Sequence, residues 1–422
     1  MTKLKRWHFE LVAIALAAAI IVTLGVLLSR ADGLVIGGQP VFGDFIGFWS
    51  AGRAALDGHA DQVHDRTVIF SYHELAAPGV QYMAWWNAPP TFLLVVTPLA
   101  LLPFPVAAIA FLIASGAVYF IAARKLLPDA RALIFAATMP AAVFQIGTVQ
   151  TGLLIAGVSG LALYWLDRRP LTAGALVSAL AIKPHLALLW PLLLALTGRW
   201  RAFAAAAVGT LVFNGAAALA FGPESFVRFF GNLRESQSVV SEQLITTPAY
   251  ASLYGNLIGA GVSNTAALIL HAISALAALG FAVWIFVIPD ARSAIRNPGG
   301  DETARLPLSS GFSLREPRND ELPIKGAALC AATLLISPYL FFYDFTLLAV
   351  GAALLGAPRD RFELVAIVAA WSAGLSLTIG YYLPVPLCPM AAWLILLASA
   401  RRARETAYPT QRSPGLPRSA QS

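Results

Sequence analysis

Three ionisable side chains stand where such groups are costly: Asp44 in VFGDFIGFWSAGRAAL (41–56), Lys183 in the triplet KPH (183–185) and Asp344 in SPYLFFYDF (337–345). Each is set among aromatic or aliphatic residues. A carboxylate in such a place can take the proton of an attacking hydroxyl, and an ammonium can stabilise a phosphate that gains charge as it leaves. Simpler roles are open to all three. Aspartate is a favoured N-cap, so Asp44 could open the amphipathic helix FIGFWSAGRAALDG, and one residue can do both jobs. Lys183 could snorkel to lipid headgroups. Asp344 could be a second acid, an orienting partner for Lys183, or a cap for a helix starting at Phe345. An ionisable group at membrane depth is by default a functional-site hypothesis. The proline after Lys183 and the short arms around it favour function there.

Candidate partners surround these groups. His185 lies beside Lys183 in the KPH turn, Gln150 sits in GTVQTG, and Tyr343 precedes Asp344. Trp49 shares a predicted helix face with Phe45 and Phe48, a face expected at the bilayer surface. Asn87 in WWNAPPTF is a candidate ligand contact in what otherwise reads as a turn. The segment DGHADQVHD (57–65) mixes His and Asp but lacks the spacing of a strong metal motif; a loop in which Asp65 caps the next helix is the simpler reading. No metal site is expected. Cys330 and Cys388 lie in apolar surroundings and read as buried thiols.

The elements that must hold these residues follow from composition. The 422-residue chain is 58% hydrophobic and only 12% charged, about half the charge of a soluble protein. Several uncharged runs, such as 9–29 and 263–288, reach the length of a spanning helix. An all-α polytopic membrane protein follows. The net charge of +7 lies in small clusters between apolar runs, with no basic stripe interleaved with aromatics, so it marks topology and not nucleic-acid binding. With both termini in the cytoplasm, 23 of the 29 Lys and Arg residues fall inside, as the positive-inside rule requires. About twelve crossings result, some short or broken. Residues 91–123 are too long for one straight crossing and are interrupted by Pro98, Pro103 and Pro105. Residues 1–404 read as one membrane domain with outer loops at 30–90 and 222–262 and a cytoplasmic linker at 289–325; 405–422 read as a disordered tail. This parity puts Asp44, Gln150, Lys183 and Asp344 on the outer side.

The stretches GDFIGFWSAGRAALDG, NAPPTFLLVVTPLALLP, QIGTVQTGLL, ALAIKPHLALLWPLLLALTGRWRA and SPYLFFYDFTLL, in this order over roughly residues 40–350, resemble glycosyltransferase family 87. These are integral membrane enzymes of the GT-C superfamily, related to phosphatidylinositol-mannoside mannosyltransferases. The resemblance implies a GT-C-like body whose first outer loop bears short surface helices. It also implies transfer of a hexose, mannose first, from a polyprenyl-phosphate donor to a lipid- or glycan-linked acceptor at the outer face of a bacterial inner membrane. Asp44 occupies the position of the family's general base, and Lys183 with His185 that of a donor-phosphate contact. Trp49, Asn87, Gln150, Tyr343 and Asp344 are candidate substrate contacts. The transfer is expected to invert the anomeric centre and to need neither metal nor cofactor, with no partner beyond membrane lipids, donor and acceptor. His64 and Ala88 stand where the family often carries an aromatic residue and a tyrosine, a departure that bears on the acceptor pocket. The rival reading is a transporter or flippase of a lipid-linked sugar.

Overall fold

The computed structural model describes residues 33–82, 84–127, 130–233, 249–288, 321–380 and 385–407, with isolated positions between 11 and 25 and the backbone alone at 130–132. Most of the predicted first crossing at 9–29, most of the linker 289–325 and the tail from 408 lie outside the described residues.

Among the described residues, regular structure is helical apart from one two-stranded ribbon, Val35–Ile36 (β1) paired antiparallel with Gln39–Pro40 (β2). The ribbon leads into α1 (Phe45–Leu56), followed by α2 (Arg66–Ala76). Then come α3 (Pro90–Leu99) and α4 (Phe104–Leu126), α5 (Gly152–Trp165) and α6 (Pro170–Ala179), α7 (Trp200–Phe221) and α8 (Asn264–Val287). The longer helices end with α9 (Leu322–Ile336), α10 (Leu347–Leu355), α11 (Arg361–Ser372) and α12 (Leu387–Ala407).

Among the described residues four helices are long and apolar enough to cross a membrane: Phe104–Leu126, Trp200–Phe221, Asn264–Val287 and Arg361–Ile379. Shorter apolar helices pack between them, and this makes the chain a helical membrane protein. Prolines set the breaks. Pro90 opens α3 at a position where the missing N–H costs nothing, and Pro103 separates α3 from the 23-residue α4. α6 and α7 run against each other, as do α4 and α5. Small residues make this closeness possible. A Cβ on Gly174 would overlap the Ala202 carbonyl of α7, and one on Gly157 would meet the Tyr119 backbone of α4.

Ion pairs secure the end that carries the basic turns. Arg199 donates to Asp167 at 2.9 Å, joining the turns on either side of the KPH hairpin. Arg402 of α12 donates to Glu363 of α11 at 2.6 Å and also to the Leu355 carbonyl. From that end, the ten residues of α6 rise about 15 Å and the 3₁₀ turn Leu180–Ile182 adds about 6 Å before Lys183. That total is short of the ~30 Å of a bilayer core.

One expectation is corrected. Phe45, Phe48 and Trp49 do not lie open at the bilayer surface: Phe45 is 0% and Trp49 7% exposed. Phe45 packs on Phe104 and Phe111, and Phe48 on Phe92. The apolar stripe of α1 is satisfied by α3 and α4, which removes more apolar area from water than an interfacial pose would.

Candidate active site

Asp44 stands at the N-terminus of α1, yet its carboxylate makes no capping bond. The turn before the helix explains this. Phe45, Ile46 and Gly47 donate their N–H groups to the carbonyls of Phe42, Gly43 and Asp44, so the donors that a cap would serve are already satisfied. Gly43 makes the turn possible: its φ is +47° and a Cβ there would strike the Thr148 backbone. The side chain of Asp44 is left to other partners. Oδ1 accepts from the Tyr82 hydroxyl at 2.6 Å and Oδ2 from Nε2 of Gln150 at 2.9 Å.

Gln150 reaches Asp44 through a constrained turn. Val149 holds φ +47° and is fully buried, a left-handed conformation that a β-branched residue adopts only when its surroundings impose it. On the other side of Gln150, a Cβ on Gly152 would overlap the Tyr343 carbonyl oxygen. Gln145 donates to the hydroxyl of Thr346 at 2.9 Å. The GTVQTG turn is thus pressed onto the SPYLFFYD segment.

That segment presents the third group. Nζ of Lys183 donates to Oδ1 of Asp344 at 2.5 Å and lies 4.8 Å from the centre of the Tyr343 ring. Asp344 is 2% exposed and takes a second bond from the Phe341 N–H at 3.1 Å. The KPH turn is tied to the start of α3 by Thr91, whose hydroxyl donates to the Ala181 carbonyl at 2.9 Å. Nε2 of His185 is buried without a hydrogen-bond partner.

Tyr343 joins the two halves: it lies within electrostatic reach of Asp44, Asp344, Tyr82 and Tyr250. Tyr250 comes from the loop before Leu253–Gly259, held by a backbone bridge to Phe341 and by ring contact at 4.4 Å. Burial and then the charge of Asp44 push the Tyr250 phenol up to about 12, and burial and Asp44 raise Tyr82 further still. Both phenols therefore stay protonated at neutral pH, and Tyr82 donates to Asp44.

Five of the residues singled out by sequence, Asp44, Gln150, Lys183, Tyr343 and Asp344, form one cluster built from three polar turns and the start of α1. Two stand apart in their contacts. Trp49 donates its indole N–H to the Leu102 carbonyl at 2.9 Å, fastening α1 to the α3–α4 turn. Asn87 bonds Asn232 at 3.0 Å. Asp65 caps α2, accepting from the N–H groups of Thr67 and Val68, and no group of three His, Cys, Asp or Glu able to hold a metal occurs among the described residues. Tyr82 escaped the sequence reading: in QYMAWW nothing marks it off from the neighbouring aromatics.

A helical membrane body thus gathers an acid and a cation at its polar turns. A sequence profile describing glycosyltransferase family 87 matches residues 86–297, half of the chain. The protein belongs to this family of GT-C-like membrane glycosyltransferases. The matched region contains Gln150, Lys183 and His185, whereas Asp44, Tyr343 and Asp344 flank it. No curated protein and no solved structure matches the chain.

Proposed function

We propose that this glycosyltransferase moves a hexose, mannose first among candidates, from a polyprenyl-phosphate donor to a lipid- or glycan-linked acceptor at the outer face of a bacterial inner membrane. About twelve crossings with both termini cytoplasmic complete the proposed topology. The observation that carries the reading is Asp44: a helix-terminal carboxylate released from capping and held by Tyr82 and Gln150 beside the Lys183–Tyr343–Asp344 group.

In the proposed reaction the acceptor hydroxyl attacks the anomeric carbon. Its proton passes to Asp44, the bond from that carbon to the phosphate oxygen breaks, and polyprenyl phosphate departs with the electron pair. General-base catalysis of this kind contributes typically 10²–10⁴-fold. Lys183 stabilises the phosphate in a partly dry setting, and His185 supports it. The other buried acid, Asp344, is committed to Lys183 and to the Phe341 N–H. That commitment leaves one carboxylate to act and favours single displacement with inversion.

The test is incubation of purified protein in bilayers with a panel of polyprenyl-phosphate sugars and membrane glycolipids, with chelator present. Products are followed by mass spectrometry. A new glycosidic product with one inverted linkage is expected; translocation of the donor without any product would refute the reading.

A further inference from the structure

We propose that the last turn of α4 and the turn joining α5 to α6 together bind an anionic phospholipid of the leaflet that meets this end of the protein. Such a site is independent of the transferase chemistry. Four exposed cations, Arg124, Lys125, Arg168 and Arg169, gather around the rings of Tyr164 and Trp165. Nζ of Lys125 lies 5.7 Å from the centre of the Tyr164 ring, and the Arg168 guanidinium lies 4.4 Å from the same centre. The Arg169 guanidinium lies 4.6 Å from the centre of the Trp165 ring. The two rings meet edge-on at 4.9 Å, so Lys125, Arg168, Arg169 and both aromatics form one continuous group, with Arg124 beside it.

The protein leaves this charge largely unbalanced. By sequence, the turns 124–131 and 167–169 carry five cations and two acids, and one of those acids, Asp167, pairs with Arg199 of another turn. Among the described residues none of the four cations is in an ion pair. The basic residues around α11 and α12 behave differently: Arg359 pairs with Glu405, Arg401 with Asp360 and Arg402 with Glu363. The C-termini of α4 and α5 meet at the cation group, but two helix ends supply only about one negative charge between them. Lys125 and Arg168 approach one ring within about 10 Å of each other, close to the Debye length of physiological salt, so their repulsion is only partly screened. An anion between them relieves it. The rings hold the cations without using their N–H groups. Arg168 spends one of its own, donating from Nη1 to the Tyr164 carbonyl at 2.9 Å. The remaining guanidinium N–H groups suit the paired oxygens of a phosphate.

Depth and the neighbouring apolar surface make that phosphate a lipid's. α4 has 23 residues and rises about 34 Å, enough to cross a bilayer core of ~30 Å, which puts its last turn at headgroup depth. Tyrosine and tryptophan are the aromatics that favour this level. Ile113, Phe120 and Ile121 are exposed on α4, and Arg124 continues their stripe, four residues after Phe120 and three after Ile121. Leu171, two residues beyond Arg169, is exposed as well. A phospholipid with its phosphate among the cations lays its acyl chains along this apolar stripe.

The experiment titrates the purified full chain in detergent with phosphatidylglycerol or phosphatidylcholine of matched acyl chains and measures bound lipid by native mass spectrometry. Phosphatidylglycerol should bind about tenfold more tightly or better, and Lys125→Gln/Arg168→Gln/Arg169→Gln should cut that preference about fivefold or more. Arg359→Gln/Arg361→Gln/Arg401→Gln, which removes as many charges near α11 and α12, should leave it intact. sn-Glycerol 3-phosphate, an anion without chains, should not bind at the same concentrations. Gel filtration checks folding; if the triple variant does not elute as wild type does, Arg168→Gln and Arg169→Gln singly carry the test, each losing about twofold or more. Equal affinity for the two lipids overturns the proposal. So does a preference that survives loss of the cations, or one that falls equally in the α11–α12 variant, which would mark a diffuse effect of net charge. Glycerol phosphate binding as tightly as the lipid would mark a free-anion site and overturn it too.

Discussion

The Lys183–Asp344 pair can be asked separately what it does for the fold and what it does for the reaction. Asp344 has a fully buried side chain and Lys183 one that is 17% exposed. Removing one member of such a pair strands the other, at about 3–5 kcal/mol. The two single variants should differ. Lys183→Met leaves a buried carboxylate with one remaining bond, from the Phe341 N–H, and forfeits the contact with the Tyr343 ring, itself worth about 0.5–2 kcal/mol. Asp344→Asn keeps an oxygen for only one of the two donors, which use separate carboxylate oxygens, but the ammonium it strands is partly exposed, so its cost falls at the low end of the range. The double variant Lys183→Met/Asp344→Leu leaves no unpaired charge, and replacing a buried pair by apolar residues is often neutral; only the Phe341 N–H loses its acceptor. Its stability should lie within about 1–3 kcal/mol of wild type, the cost of that one donor. Activity should not return, because a phosphate without its cation loses about 10²–10³ in kcat. Denaturant or thermal unfolding in detergent, paired with sugar-transfer assays, reads both quantities. Single variants as stable as wild type would refute the structural half of this reasoning, and an active double variant would refute the catalytic half.

Other consequences follow from the same contacts. Tyr82→Phe and Gln150→Leu each remove one charge-assisted bond to Asp44, worth about 1.5–3 kcal/mol, and should lower kcat at least tenfold with little change in the donor KM; a KM effect alone would give these residues a different role. Gly152→Ala should push GTVQTG off the Tyr343 carbonyl and lower both stability, by about 1–3 kcal/mol, and kcat; a fully active variant would show that the contact is dispensable. His73 is buried with Nδ1 at 2.8 Å from the Ser50 hydroxyl, and burial lowers its pKa to about 4 despite the Ala84 backbone bond. Because the unfolded chain binds this proton more readily, stability is fully present above about pH 6.5 and falls toward pH 4. The loss between pH 7 and 5 is about 2 kcal/mol. Unfolding midpoints should track that window in wild type and shift less in His73→Gln; equal shifts in both would assign the acid sensitivity elsewhere.

Fold and site were legible to different depths. Low charge and long apolar runs gave the helical membrane class because they are properties of composition, and the prolines at 98, 103 and 105 located the break between α3 and α4. Lys183 could be singled out because a lysine between two short apolar arms is conspicuous, and its partner Asp344 was among the alternatives that sequence left open. The orientation of Asp44 was not legible. Whether an aspartate caps depends on whether the preceding turn has already satisfied the first N–H groups, which no local pattern reports. The burial of Phe45 and Trp49 was missed for a related reason: an amphipathic face looks the same whether lipid or another helix covers it. Tyr82 lies 38 residues from Asp44, and only the folded loop brings them together.

The most direct test of the account is the reaction of Asp44→Asn, reconstituted beside wild type with the donor that wild type uses. The substitution keeps size and hydrogen-bonding oxygen but removes the base. Transfer should fall by at least 10² while expression, gel-filtration profile and unfolding midpoint stay close to wild type. A folded Asp44→Asn protein that transfers sugar at near-normal rate would contradict the central claim and remove Asp44 from the mechanism.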